Sequence, residues 1–219
     1  MQLPRGAIFD MDGTLLESEK LARACFIRAC GDSGWPEVDI VIYDRCVGST
    51  HDATRNILVS GYGPEFPIDK MLEVWSEHYR QHIQQHPLEI KPGIVDLLGK
   101  LQALGVPMAV ATSSLRPTTE TKLTKTNLLN FFDHLVCGGE AAKGKPDPAP
   151  YLMAADRLGV PPAECWGIED SDNGLRSARA AGLQVFQIPD EIPPSDEVRN
   201  FGHPILTSVH ILYDFLADH

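Results

Sequence analysis

Two carboxylates, Asp10 and Asp12, stand one residue apart in Phe9-Asp10-Met11-Asp12-Gly13-Thr14-Leu15. They follow the short apolar run Gly6-Ala7-Ile8-Phe9, which suits a buried strand delivering carboxylates to a sheet edge. Alternate side chains of a strand share a face. A chain that turns out of the strand at Gly13 can therefore aim Asp10 at a ligand and Asp12 across it, a nucleophile beside an acid/base. Taken alone, D-x-D-G also fits a solvated turn. Three further stretches have the same two-sided character. Thr112 and Ser113 in Val110-Ala111-Thr112-Ser113-Ser114 fit a strand end that caps the next helix. Lys145 in Gly144-Lys145-Pro146-Asp147-Pro148 fits a solvated loop lysine. Glu169-Asp170 in Gly167-Ile168-Glu169-Asp170-Ser171 fits an acidic pair complementing a helix dipole.

The elements that must position these residues follow from periodicity. Residues 106–111, 134–137, 165–168 and 184–188 are short apolar runs like 6–9, separated by segments with helical spacing. Ile94, Leu97, Leu98, Leu101 and Leu104 predict a helix between Pro92 and Gly105. Tyr151, Leu152, Ala155 and Leu158 before Gly159 predict a second, and Leu175, Ala178 and Ala181 before Gly182 a third. Strands alternating with helices predict an α/β protein with a parallel, Rossmann-like sheet, which binds ligands at its C-terminal strand ends. Residues 17–87 break the rhythm with consecutive helices, among them an amphipathic one carrying Met71, Leu72, Trp75, Tyr79 and Ile83. The expected organisation is a catalytic core of residues 1–16 and 88–219 carrying a helical cap of residues 17–87, hinged near Leu16 and Leu88.

Bulk properties narrow the partners. In 219 residues, 43% hydrophobic and 22% charged, there is material for a folded globular core. A net charge of -11 without a lysine or arginine run repels nucleic acid and acidic membrane. A small phosphorylated molecule is still acceptable, because a bound cation and one or two lysines reverse the field inside a pocket. The five cysteines make no C-x-x-C pair, and their odd number fits a reducing cytoplasm better than a disulfide scaffold. The N-terminus carries no signal-like apolar stretch, and no later segment reaches membrane-spanning length.

Taken in order, the four stretches resemble the motifs of the haloacid dehalogenase superfamily. A helical insertion directly after the first motif resembles its subgroup of β-phosphoglucomutase, phosphoglycolate phosphatase and sugar phosphatases. The resemblance implies a phosphatase in which Asp10 attacks phosphorus and Asp12 is the general acid/base. It also implies Mg²⁺ held by Asp10, the Asp12 carbonyl and Asp170, with Glu169 close or linked through water. Lys145 would complete the neutralisation, and the Thr112 hydroxyl and the N–H groups around Ser113 would hold phosphoryl oxygens. A small phosphate monoester such as a sugar phosphate is the implied substrate.

Related caps present substrate contacts where this chain has His51, Asp52 and Arg55, so His51 and Arg55 are candidates beside the plainer reading of a solvated helix face. His78, His82 and His86 lie at helix-turn spacing and read as a solvated stripe rather than a metal face. Two rivals stand. A mutase like β-phosphoglucomutase is weakened by Ala22, where that enzyme has a histidine, and a non-catalytic phosphate-binding module is disfavoured by intact Asp10, Asp12, Lys145 and Asp170. True dehalogenases lack the second aspartate of the first motif, so Asp12 favours phosphate. Ala149 departs from the aspartate usual in relatives and puts the start of the following helix in question.

Overall fold

The computed structural model describes residues 2–47, 49 and 51–217. Two compact units divide the chain, one of Met1–Glu17 with Leu88–His219 and one of Ser18–Pro87. After β1 (Gly6–Phe9) come helices α1 (Glu19–Asp32), α2 (Ile40–Asp44), α3 (His51–Tyr62) and α4 (Ile68–Gln85), which make up the second unit. The α/β unit then continues through α5 (Ile94–Ala103), β2 (Met108–Ala111), α6 (Arg116–Lys125), β3 (His134–Val136), α7 (Ala149–Leu158), β4 (Cys165–Glu169), α8 (Asp172–Ala180), β5 (Gln184–Gln187), α9 (Asp196–Arg199) and α10 (His210–Ala217).

All five strands are parallel, in the order β3-β2-β1-β4-β5, so β1 is central. The fold is α/β with a Rossmann-like parallel sheet. Where the pattern predicts a strand from 106, β2 starts at Met108: Val106 N–H turns back to the Leu101 carbonyl at 3.0 Å, and Pro107 has no N–H to offer a ladder. The helix predicted around Tyr151 starts at Ala149, whose N–H donates to the Asp147 carboxylate at 3.0 Å. Asp147 thus accepts one free N–H of the first turn, while Pro148 at the N-cap position makes no side-chain bond.

Strand alternation sorts the side chains. Ile8, Ala109, Ala111, Val136, Cys165 and Val185 bury one sheet face against Tyr151, Ala154 and Ala155 of α7 and Leu175 and Ala178 of α8. Glu169 lies four residues after Cys165 in the same strand and so falls on that face. On the other residues of the alternation, Trp166 sets its ring 5.1 Å from Phe186 and 6.0 Å from Phe215, while Phe9 meets Phe132 edge-on at 6.0 Å. Where the chain leaves and re-enters this unit, Leu16 bridges Ile90 antiparallel, and the Lys91 ammonium pairs with Glu17 at 3.3 Å and with Asp190.

The helical unit has its own core, including Phe26, Tyr43, Leu58, Phe66 and Met71. Trp75 belongs to it, with its ring 5.2 Å from Phe26 and its indole N–H donating to the Ala22 carbonyl at 2.9 Å. Tyr79 is half-buried. All five cysteines are buried and unpaired. Among the described residues, no helix is long and apolar enough to cross a membrane.

Candidate active site

Parallel strands place all their C-terminal ends along one edge, and the predicted residues of the α/β unit gather there. Asp10 follows β1 with its N–H on the Ile168 carbonyl at 3.0 Å, Thr112 follows β2, and Glu169 and Asp170 close β4. Lys145 arrives from the loop between β3 and α7, where the Lys145–Pro146 peptide is cis. Its ammonium donates to Asp10 Oδ1 and to Glu169 Oε1, both at 2.6 Å. Oxygens of Asp10, Glu169 and Asp170 lie within 4.8 Å of one another, the one such cluster among the described residues.

Each carboxylate is held by its neighbours. Glu169 is fully buried; its Oε1 accepts from Tyr151 at 2.6 Å and its Oε2 from the Ser171 hydroxyl at 3.2 Å. Ser171 in turn caps α8 by accepting from Gly174 N–H at 3.2 Å. Asp170 Oδ1 accepts from Thr14 at 3.2 Å. Gly13, at φ 86°, leaves room for Asp170, since a Cβ there would stand 2.3 Å from Asp170 Oδ2. Asp12 is gripped on both oxygens: Oδ1 accepts from Lys122 at 2.6 Å and Oδ2 from the Ser114 hydroxyl at 2.8 Å.

Burial dominates the electrostatics. Desolvation pushes the Asp10 carboxyl up to about 8, with the Lys145 charge pulling it down and the Glu169 charge pushing it further up. Burial by itself would lower Lys145, but the Asp10 and Glu169 carboxylates more than offset that and raise it. Burial, reinforced by Glu169, raises the Tyr151 phenol well above its usual value, so it stays a hydrogen-bond donor. Four carboxylates (Asp10, Asp12, Glu169 and Asp170) are set against two ammonium groups, Lys145 and Lys122. Hard oxygen donors with surplus negative charge are the donor set of a divalent cation such as Mg²⁺.

Thr112 is buried and its hydroxyl oxygen accepts from Ser114 N–H at 3.1 Å, while Ser113 is exposed. In the helical unit Arg55 pairs with Asp69 at 2.6 Å. Gly48, Thr50 and the side chain of His51 lie outside the described residues. His78 bonds Asp32 at 2.8 Å, and the His82 and His86 rings stand 5.0 Å apart. Sequence reasoning missed Lys122, Ser114, Tyr151, Thr14 and Gly174. For Lys122 a faint signal exists: it lies three residues after Thr119 and beside Leu123, the buried positions of α6.

A buried carboxylate linked through an ammonium to a second, with a third acid beside them at the C-terminal edge of a parallel sheet, is a candidate ligand site of an α/β protein. The chain belongs to the haloacid dehalogenase-like hydrolase family, whose model matches residues 7–188. It is 32% identical over 201 residues to protein CbbY of Rhodobacter capsulatus, covering 88% of both chains. To the phosphoglycolate phosphatase of Thiobacillus denitrificans it is 30% identical over 190 residues, covering 84% of this chain and 83% of the relative. The crystal structure of CbbY from Rhodobacter sphaeroides in complex with xylulose-(1,5)bisphosphate superposes with a TM-score of 0.78 at 27% identity, covering 94% of this chain and 95% of that one. The protein is thus a haloacid dehalogenase-like hydrolase.

Proposed function

We propose that this hydrolase is a Mg²⁺-dependent phosphatase that cleaves a small phosphate monoester, of the sugar phosphate kind, through an aspartyl-phosphate on Asp10. The observation that carries the reading is the Lys145 ammonium, 2.6 Å from both Asp10 and Glu169 in a buried site. An anionic nucleophile can approach an anionic phosphoryl group only where positive charge is already fixed. Asp10, the Asp12 carbonyl and Asp170 would hold Mg²⁺; Glu169, whose oxygens already accept from Lys145, Tyr151 and Ser171, would stand in the outer shell. When bound, the cation would neutralise the phosphoryl oxygens and keep Asp10 ionised.

Two steps balance the chemistry. An Asp10 oxygen bonds to phosphorus as the ester P–O bond breaks, and the departing alkoxide takes a proton from Asp12. Water then gives a proton back to Asp12 and bonds to phosphorus, breaking the bond to Asp10 and freeing inorganic phosphate. Dividing the barrier this way suits a reaction that needs acceleration of up to about 10²¹-fold. Lys145 and the Thr112 hydroxyl, with N–H groups around Ser113, would hold the phosphoryl oxygens. His51 and Arg55 are proposed substrate contacts on the helical unit, which we read as a cap; Arg55 would have to exchange Asp69 for substrate. The relatives' names support the substrate class, and five unpaired cysteines support a cytoplasmic setting.

The test is phosphate release from a panel of phosphate esters with Mg²⁺ present. Asp10→Asn should abolish release while leaving the circular dichroism spectrum unchanged. Turnover at the unsubstituted rate would remove Asp10 from the mechanism.

A further inference from the structure

We propose that Lys122 and Ser114 are positioning residues that fix the Asp12 carboxylate for proton transfer, a role that rests on reading Asp12 as the acid/base. Each takes one oxygen: Lys122 Nζ is 2.6 Å from Oδ1 and Ser114 Oγ 2.8 Å from Oδ2. The terminal torsion of an aspartate is broad, so one partner alone would leave the carboxylate free to swivel. Two partners on different elements set its plane.

The donors are themselves braced. Ser114 N–H donates to Thr112 Oγ1 at 3.1 Å, and the Ser114 carbonyl accepts from Gly138 N–H at 2.8 Å and from the Thr119 hydroxyl at 3.3 Å. Gly138 allows this contact because a Cβ there would stand 2.2 Å from the Ser113 carbonyl oxygen. Lys122 is only 3% exposed, on the inward face of α6 between Thr119 and Thr126. An apolar residue would fill that position without desolvating a charge, and lysines are rarely buried unless paired. The pairing of this one reaches 110 residues back to Asp12, whose side chain is still 24% exposed. Half of the clamp is therefore dry and the carboxylate it holds is accessible, as a group that exchanges protons with a leaving group and water must be.

Leaving groups separate positioning from mere support. Nitrophenolate departs without a proton, whereas an alkoxide needs one from Asp12. In the full chain with Mg²⁺, Lys122→Met should keep the pre-steady-state nitrophenol burst from p-nitrophenyl phosphate within about threefold, since general acid/base help is worth roughly 10²- to 10⁴-fold and this step needs none. Turnover of glycerol 2-phosphate should fall about 100-fold with little change in KM, on the same scale of general acid/base help. Ser114→Ala should show the same pattern at about tenfold, and Lys122→Arg should recover part of the loss. If Lys122→Met does not fold, Ser114→Ala and Lys122→Arg carry the test. An equal fall with both esters, or full activity in these variants, overturns the proposal. Asp12→Ala run in parallel separates the two claims: if it keeps full glycerol 2-phosphate turnover, the acid/base reading itself falls. If it loses turnover while the Lys122 and Ser114 variants do not, only the clamp falls.

Discussion

Gly174→Ala sets two rules against each other. Gly174 is the third residue of α8, and alanine is favoured over glycine within a helix by about 1 kcal/mol. Propensity alone therefore expects a more stable protein. The structure expects the reverse, because a Cβ at 174 would stand 1.8 Å from Glu169 Oε1, 2.0 Å from Cδ and 2.1 Å from Oε2. Ordinary contact requires about 3.4 Å, so the carboxylate must retreat by about 1.5 Å. Glu169 is fully buried and cannot retreat without loosening its bonds to Lys145, Tyr151 and Ser171. Overpacking costs about 1–3 kcal/mol, and breaking a buried charged pair about 3–5 kcal/mol. Partial loss of both outweighs the helix gain and leaves a net destabilisation of about 3 kcal/mol, or 6–12 °C in Tm for a chain of this size. Because Lys145 would follow Glu169 away from Asp10, kcat should drop about 100-fold, the effect of misplacing a reacting group by about 1 Å. Thermal unfolding and phosphate release measured on one preparation check both. A Tm that rises by a few degrees with kcat unchanged would show that the Glu169 carboxylate does not occupy the space beside Gly174.

Lys145→Arg should be nearly as inactive as Lys145→Ala: the buried site fits a compact ammonium between two carboxylates and against the Tyr151 ring, and a planar fork overfills it. More than a tenth of normal kcat in the arginine variant would refute that. Mg²⁺ should raise Tm in the absence of substrate, by linkage, and Asp170→Ala should remove the increase; equal increases in both proteins would place the cation elsewhere. Burial pushes Cys30, Cys46 and Cys165 each up to about 11 from 9.0, so these acids keep their protons in the folded chain while the unfolded chain loses them. Their contribution to stability is therefore complete below pH 9 and declines as pH rises toward 11. Urea midpoints at pH 7.5 and 10 should show the fall, and a Cys30→Ala variant should show less of it.

What could be read along the chain was whatever one stretch declares by itself. Punctuated apolar runs announce the strands, glycines at 159 and 182 announce helix ends, and acids directly after apolar runs announce a ligand edge; β1, β4, α7 and α8 lie where those signals put them. Strand order is a different kind of fact. Five runs that all read as buried carry no mark of which lies beside which, so the central place of β1 had to come from the fold. The missed residues have a common physical cause. Tyr151 reads as an apolar helix position because periodicity registers its ring and not its hydroxyl, yet that hydroxyl holds Glu169. Helix α6, Arg-Pro-Thr-Thr-Glu-Thr-Lys-Leu-Thr-Lys, offers Leu123 as its one large apolar side chain, so no stripe singles out Lys122 as inward. Gly174 resembles any helix glycine until the carboxylate beside it is located. For Tyr151 and Lys122 the partner lies 18 and 110 residues away and the bond is polar and directional, and for Gly174 the constraint is the space taken by a side chain five residues back. Hydrophobic burial is non-directional and leaves a period in the sequence; a hydrogen bond between distant residues leaves none. The clustered carboxylates could therefore be named from their motifs, while the groups that hydrogen-bond them could be named only once the sheet had brought their stretches to one edge.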